Sequence, residues 1–184
     1  WARPVGQAPQ ALLALPGSSA SQVRMLVANT AFSTSNPAGS PYGDGTITAT
    51  TFQLTSSGGR RTLAHVSTNL VDLEQAASGS GTNPTAMIDA AALDQVLVVG
   101  SGINYDSDGN GADDGSLTIL NRNDLSHQGR IDVGDSPGSA VLVAEGSGHR
   151  LYLAGPTGIK SLRHNGSGWG GTARREYAAT GGGG

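Results

Sequence analysis

The sequence predicts an all-β protein made of three imperfect copies of a four-stranded antiparallel unit. Three observations carry this reading. The apolar segments are short runs of about four to eight residues, rich in Val, Ile, Leu and Thr, which is the length and composition of strands rather than helices. Glycine supplies 29 of the 184 residues, roughly twice the average share, as a chain with many tight turns requires. The same order of runs then recurs three times along the chain.

The first run of each copy is led by proline. Pro9 precedes Gln10 to Leu15, Pro84 precedes Thr85 to Ala90, and Pro137 precedes Gly138 to Ala144. A polar turn and a second apolar run follow: Val23 to Ala28, Val96 to Gly100, and Leu151 to Gly155. The third run opens on glycine after a polar loop. Asp44-Gly45-Thr46-Ile47-Thr48 and Asp114-Gly115-Ser116-Leu117-Thr118 are near copies, and Gly158-Ile159-Lys160-Ser161-Leu162 is a shorter version. A fourth run closes each copy at Arg61 to Val66, Gly129 to Val133, and Arg175 to Ala179. Within Thr46 to Thr51, Ile47 and Ala49 alternate with threonines, the pattern of a half-buried strand. Leu70 to Ala77 reads as room for one helical turn, and Ser78 to Asn83 as the internal linker.

A four-stranded antiparallel unit repeated in this order is the blade of a β-propeller. The expected units are 9–68, 84–133 and 137–179, with 180–184 a flexible glycine tail; a generic twelve-strand sandwich is the competing arrangement. Val133-Gly134-Asp135-Ser136-Pro137 followed by Gly148-His149-Arg150-Leu151-Tyr152-Leu153 resembles the YVTN-type, lactonase-like propeller repeat. There a valine-glycine-x-x-proline turn leads one strand and a glycine-x-x-leucine-tyrosine-valine strand comes next. The resemblance is clearest over 84–163 and implies fold more than function. Propellers close with about four to eight blades. Three blades therefore leave two apolar faces to be covered by further blades, another protein or a second copy. The chain starts at Trp1 and ends on Gly181 to Gly184, from which a processed or partial product is expected.

One motif carries explicit chemistry. Asp106-Ser107-Asp108-Gly109-Asn110-Gly111-Ala112-Asp113-Asp114 places oxygen ligands at alternate positions of a tight loop. Calcium needs about six to eight such oxygens converging on one point. Asp106, Asp108 and Asn110 fit the first, third and fifth ligand positions. Gly111 permits the sharp turn, the Ala112 carbonyl fits the seventh, and Asp114 the ninth, directly or through water. Leu117 stands where an EF-hand has its bidentate Glu, so the loop resembles the hairpin-borne calcium loops of extracellular propellers instead. An acidic turn without an ion is the plain alternative. The expected role of Ca2+ is to stiffen the loop, not to catalyse.

The other candidates are weaker. With 14% charged residues and a net charge of −3, the chain lacks the clustered Lys/Arg footprint of nucleic-acid binding. No cysteine is present, which excludes disulfides and thiolate chemistry. No apolar run approaches the roughly 18–20 residues of a membrane span. His65, His127, His149 and His164 match no metal signature, and His65, His127 and His149 read as hydrogen-bonded structural histidines. Tyr105, Trp169 and Tyr177 read as packing or interface anchors. Asn165-Gly166-Ser167 is a glycosylation sequon, and Arg60-Arg61 and Arg174-Arg175 read as solvated edge charges. No catalytic residues and no cofactor-binding residues emerge, and the proline-led strands carry only Asp89 and Glu145 as acids.

These observations favour a non-enzymatic, exported module, periplasmic, cell-surface or extracellular, that serves as a scaffold or protein-binding surface. Two other readings stay open. One is a piece of a propeller enzyme of the lactonase-like or quinoprotein dehydrogenase type. The other is a subunit of an extracellular filament or surface layer.

Overall fold

The computed structural model describes residues 8–32, 42–73, 83–102, 115–134 and 136–178. Twelve strands in these residues form three separate four-stranded antiparallel sheets, each in simple sequential order. Sheet 1 contains β1 (Pro9–Pro16), β2 (Gln22–Phe32), β3 (Tyr42–Ser57) and β4 (Arg60–Asp72). Sheet 2 contains β5 (Pro84–Ala90), β6 (Gln95–Gly100), β7 (Ser116–Asn121) and β8 (His127–Asp132), with a single 3-10 turn at Ala91–Leu93. Sheet 3 contains β9 (Ser139–Glu145), β10 (Gly148–Gly155), β11 (Gly158–His164) and β12 (Arg174–Ala178). The first strands lie side by side, with β5 touching β1 on one flank and β9 on the other.

The sheets stack through their alternating side chains. Val96 and Val98 of β6 join Leu15, Leu26, Ile47 and Ala49 in one core between sheets 1 and 2. Their neighbours Leu97 and Val99 point the other way and join Leu117, Leu151, Leu153 and Leu162 between sheets 2 and 3. The middle sheet is thus buried on both faces, which is why β6 and β7 read as nearly continuous apolar runs. A two-sheet sandwich would have a single core; this stack has two. The outer faces of sheets 1 and 3 have no sheet packed on them among the described residues, so the stack is blade-like but not closed.

In sheet 1 the strands run further than the sequence suggests. β4 continues to Asp72, pairing Leu70 with Thr48 and Val71 with Ile47, so Leu70–Asp72, the start of the stretch expected to hold a helical turn, is strand, while 74–77 lie outside the described residues. The ladder satisfies the backbone of Leu70–Asp72, and Val71 packs against the core. At the other end β3 and β4 outrun β2, pairing Leu54 with Leu63 and Ser57 with Arg60 around Gly58-Gly59. Both glycines have positive φ (57° and 75°), the backbone that a two-residue hairpin turn demands.

This topology gives the stack two ends. The β1–β2, β3–β4, β5–β6 and β7–β8 turns lie at what we term the hairpin end. The β2–β3, β4–β5, β6–β7 and β8–β9 connections leave from the opposite, loop end.

Candidate functional site

The residues expected to bind calcium, Asp106, Asp108, Asn110, Ala112 and Asp114, lie outside the described residues, as does Tyr105. The base from which their loop springs is described. Gly100 and Ser116 pair across β6 and β7, so the connection leaves and returns on adjacent strands. The Ser101 N–H donates to the Asn83 carbonyl at 3.1 Å, and the Val133 N–H to the Gly115 carbonyl at 2.9 Å. Asn83 ties this base to sheet 1. Its Oδ1 accepts from the Thr30 hydroxyl at 2.6 Å, and its Nδ2 donates to Ser101 Oγ at 2.5 Å. All three side chains are buried, where an unpaired polar group is costly. Asn83 has φ of 31°, a left-handed conformation that asparagine tolerates better than most residues. The sheet 2–sheet 3 junction has a simpler counterpart: the Thr85 hydroxyl donates to the Pro137 carbonyl at 2.9 Å.

The hairpin end of the same junction is held by Arg24. Its guanidinium, on the sheet 2 side of β2, donates to the Asn123 carbonyl at 2.5 Å and to the Arg122 carbonyl. Burial, and secondarily the nearby Arg122 charge, pull the Arg24 pKa below its ordinary value. Arg122 is itself held by a two-pronged ion pair to Asp89, at 2.6 and 2.9 Å, and that hydrogen bond raises its pKa. Beside them a cleft of about 220 Å³ opens, lined by Gln22, Arg24, Thr51, Arg122 and Asn123 among others. Replacing Arg24 with Met is expected to cost about 1–3 kcal/mol in urea denaturation, because two turn carbonyls lose a charged donor. A cost near zero would mean that solvent replaces it freely.

The outer faces of the end sheets differ in chemistry. On sheet 1, Leu12 (65% exposed) and Leu70 (69%) lie in one cross-strand row with Val27 and Thr48. On sheet 3, Val141, Val143, Ile159 and Tyr177 are exposed, but the middle of the face is polar. Arg150 donates to Glu145 at 3.0 Å and to Glu176 at 3.2 Å, and the Ser161 hydroxyl donates to Glu176 at 2.7 Å. The Ser161 bond, assisted by Arg174 and Arg150, holds the Glu176 carboxyl below its usual pKa.

Both acids of the proline-led strands are therefore engaged, Asp89 with Arg122 and Glu145 with Arg150. The described residues hold no group of three or more metal-ligating side chains, and no described helix is long and apolar enough to cross a membrane. His65 bonds Thr68 at 2.9 Å, and His164 accepts from the Gly166 N–H at 3.2 Å. Trp169 is a packing anchor, one of the two roles expected for it: it packs on the sheet 2–sheet 3 core and donates to Gln95 of β6 at 2.9 Å. Tyr177 is exposed on the edge strand β12, and the arginine pairs 60–61 and 174–175 are exposed on the edge strands β4 and β12. Asn165 of the sequon caps its own turn, accepting from Ser167 and Gly168. The junction residues Thr30, Asn83, Ser101 and Arg24 have no sequence motif; the only hint is an asparagine directly before a strand-leading proline.

No protein-family model and no curated protein matches the chain.

Proposed function

We propose that this chain is an exported, non-enzymatic β-propeller module that acts as a scaffold or protein-binding surface, with one loop stiffened by calcium. The observation that carries the reading is the pair of sheet faces at the two ends of the stack on which no further sheet packs among the described residues. Leu12 and Leu70 on one, and Val141, Val143 and Tyr177 on the other, are large apolar side chains left more than a third exposed. Exposed apolar patches on a sheet mark a surface that another protein covers. A further blade-like sheet, in a second copy or another polypeptide, supplies the matching flat face.

Light scattering over a concentration series tests this directly. Association that weakens when Leu70→Glu and Val141→Glu are introduced supports coverage by a second copy. If the chain stays monomeric and a tethered additional blade leaves its stability unchanged, the surface reading fails.

The calcium part rests on the acidic loop sequence and on its anchored base at Ser101 and Gly115. Calcium at about a hundredfold above its Kd should stabilise the fold by about 2.7 kcal/mol. The expected result is a thermal midpoint several degrees higher in calcium than in chelator, with the gain lost in Asp106→Ala/Asp108→Ala. An identical midpoint in both buffers rules out a structural ion.

A further inference from the structure

We propose that His149, His164 and Trp169 form a pH-sensitive latch that holds the hairpin end of sheet 3 against sheet 2 and releases it on acidification. His149 and His164 are directly opposed across β10 and β11. Directly opposed side chains on antiparallel strands stand close together. His164 is buried (6% exposed), and its Nδ1 accepts from the Gly166 N–H, so that nitrogen carries no proton. The strand end is tightly seated: a Cβ at Gly148 would lie 2.4 Å from the His164 carbonyl oxygen. The His164 ring meets Trp169 edge-on, with centroids 5.2 Å apart and planes at 72°. Trp169 in turn reaches across the junction to Gln95.

The groups facing His164 are few. Across the strand stands His149, from the following turn come Trp169 and the Gly166 N–H, and from sheet 2 the neutral Gln95 amide bonds the indole. Arg150 and Arg163, next to the histidines in sequence, fall on the opposite sheet face by strand alternation, and Arg150 bonds Glu145 and Glu176 there. His149 is the one titratable group shown acting on His164, and His149 Nδ1 is itself buried without a hydrogen-bond partner.

Protonation of His164 at Nδ1 would set an N–H against the Gly166 N–H and place a cation beside His149. The turn from 164 to 169 can relieve both by opening, which carries Trp169 away from Gln95. Burial, and then His149, hold the His164 pKa below the ordinary 6.5. The folded state therefore binds fewer protons than the unfolded one, so the latch is stable above pH 6.5 and is lost as pH falls through the depressed value.

The test follows Trp169 emission in a Trp1→Phe background, where it is the only indole, from about pH 8 to about pH 5. The expected result is a reversible red shift with a midpoint below 6.5, while the strand circular dichroism signal holds. His164→Asn, whose amide oxygen can accept from Gly166 without titrating, should abolish the shift, and His149→Gln should move the midpoint toward 6.5. His127, also depressed in pKa by burial and by Arg130, lies on β8; His127→Gln should leave the emission change intact. The proposal is overturned if His164→Asn retains the same midpoint and amplitude, or if emission changes only together with the strand signal. Proton NMR of the wild-type imidazoles gives a reading independent of any variant: a His164 midpoint at or above 6.5 also overturns it.

Discussion

Leu117→Ala is expected to lower stability by about 2–5 kcal/mol, the range for truncating a fully buried leucine. For a domain of this size that is a fall of roughly 5–15 °C in thermal midpoint. Leu117 has 0% exposure and is packed among Leu97, Val99, Leu151, Leu153 and Leu162 in the core shared by sheets 2 and 3. The middle sheet cannot collapse into the void, because Val96 and Val98 on its other face are fixed against sheet 1. Leu70→Ala removes the same atoms from a side chain 69% exposed and should stay within about 0.5 kcal/mol of the parent in the isolated chain. Urea denaturation of both variants decides the matter. Equal costs would mean that the middle sheet is not doubly packed. When a further sheet covers the outer face, the cost of Leu70→Ala should rise toward that of a core position, so the same pair of variants reports on assembly.

Strand identity was legible in the sequence wherever a run carried its own boundaries. Pro84 opens β5 as expected, Gly155 and Gly158 bound the turn between β10 and β11, and the run expected from Val96 starts one residue earlier, at Gln95, because proline and turn residues act locally. The blade-by-blade order was legible for the same reason, since each copy repeats its turns. Strand length was harder to read: β3 and β4 continue through polar threonines, serines and Asn69 that resemble loop in composition. Their ladder partners, not their polarity, keep them extended.

Contacts between residues distant in sequence were legible only where a turn fixes register. His149 and His164 are equidistant from Pro156-Thr157, so assigning that hairpin pairs them. Phe52 and His65 pair in the same way around Gly58-Gly59, but the bulge between Thr51 and Phe52 ends the arithmetic there. The Arg24 contact to Arg122 and Asn123 joins two sheets roughly half the chain apart, and no local pattern encodes it. Such contacts depend on how whole sheets stack, which is a property of the two cores rather than of any motif.

The junction at the loop end yields the second large effect. Asn83→Ala should cost about 2–4 kcal/mol, because it strips partners from two buried hydroxyls and adds backbone strain. Thr30 loses its acceptor, Ser101 loses its donor, and a φ of 31° puts an alanine Cβ where the chain tolerates it poorly. Asn83→Gly separates the two causes. Glycine relieves the strain but not the lost bonds, so it should recover about 1–2 kcal/mol of the penalty. A double-mutant cycle between Asn83→Ala and Ser101→Ala should show a coupling of about 0.5–3 kcal/mol, since the two side chains share one bond. Additive costs, or an Asn83→Ala variant within about 0.5 kcal/mol of the parent, would mean that sheet 1 is held to sheet 2 by apolar packing alone. The buried position of all three side chains argues against that outcome: hydroxyl and amide groups cut off from water are stable there only while they satisfy one another.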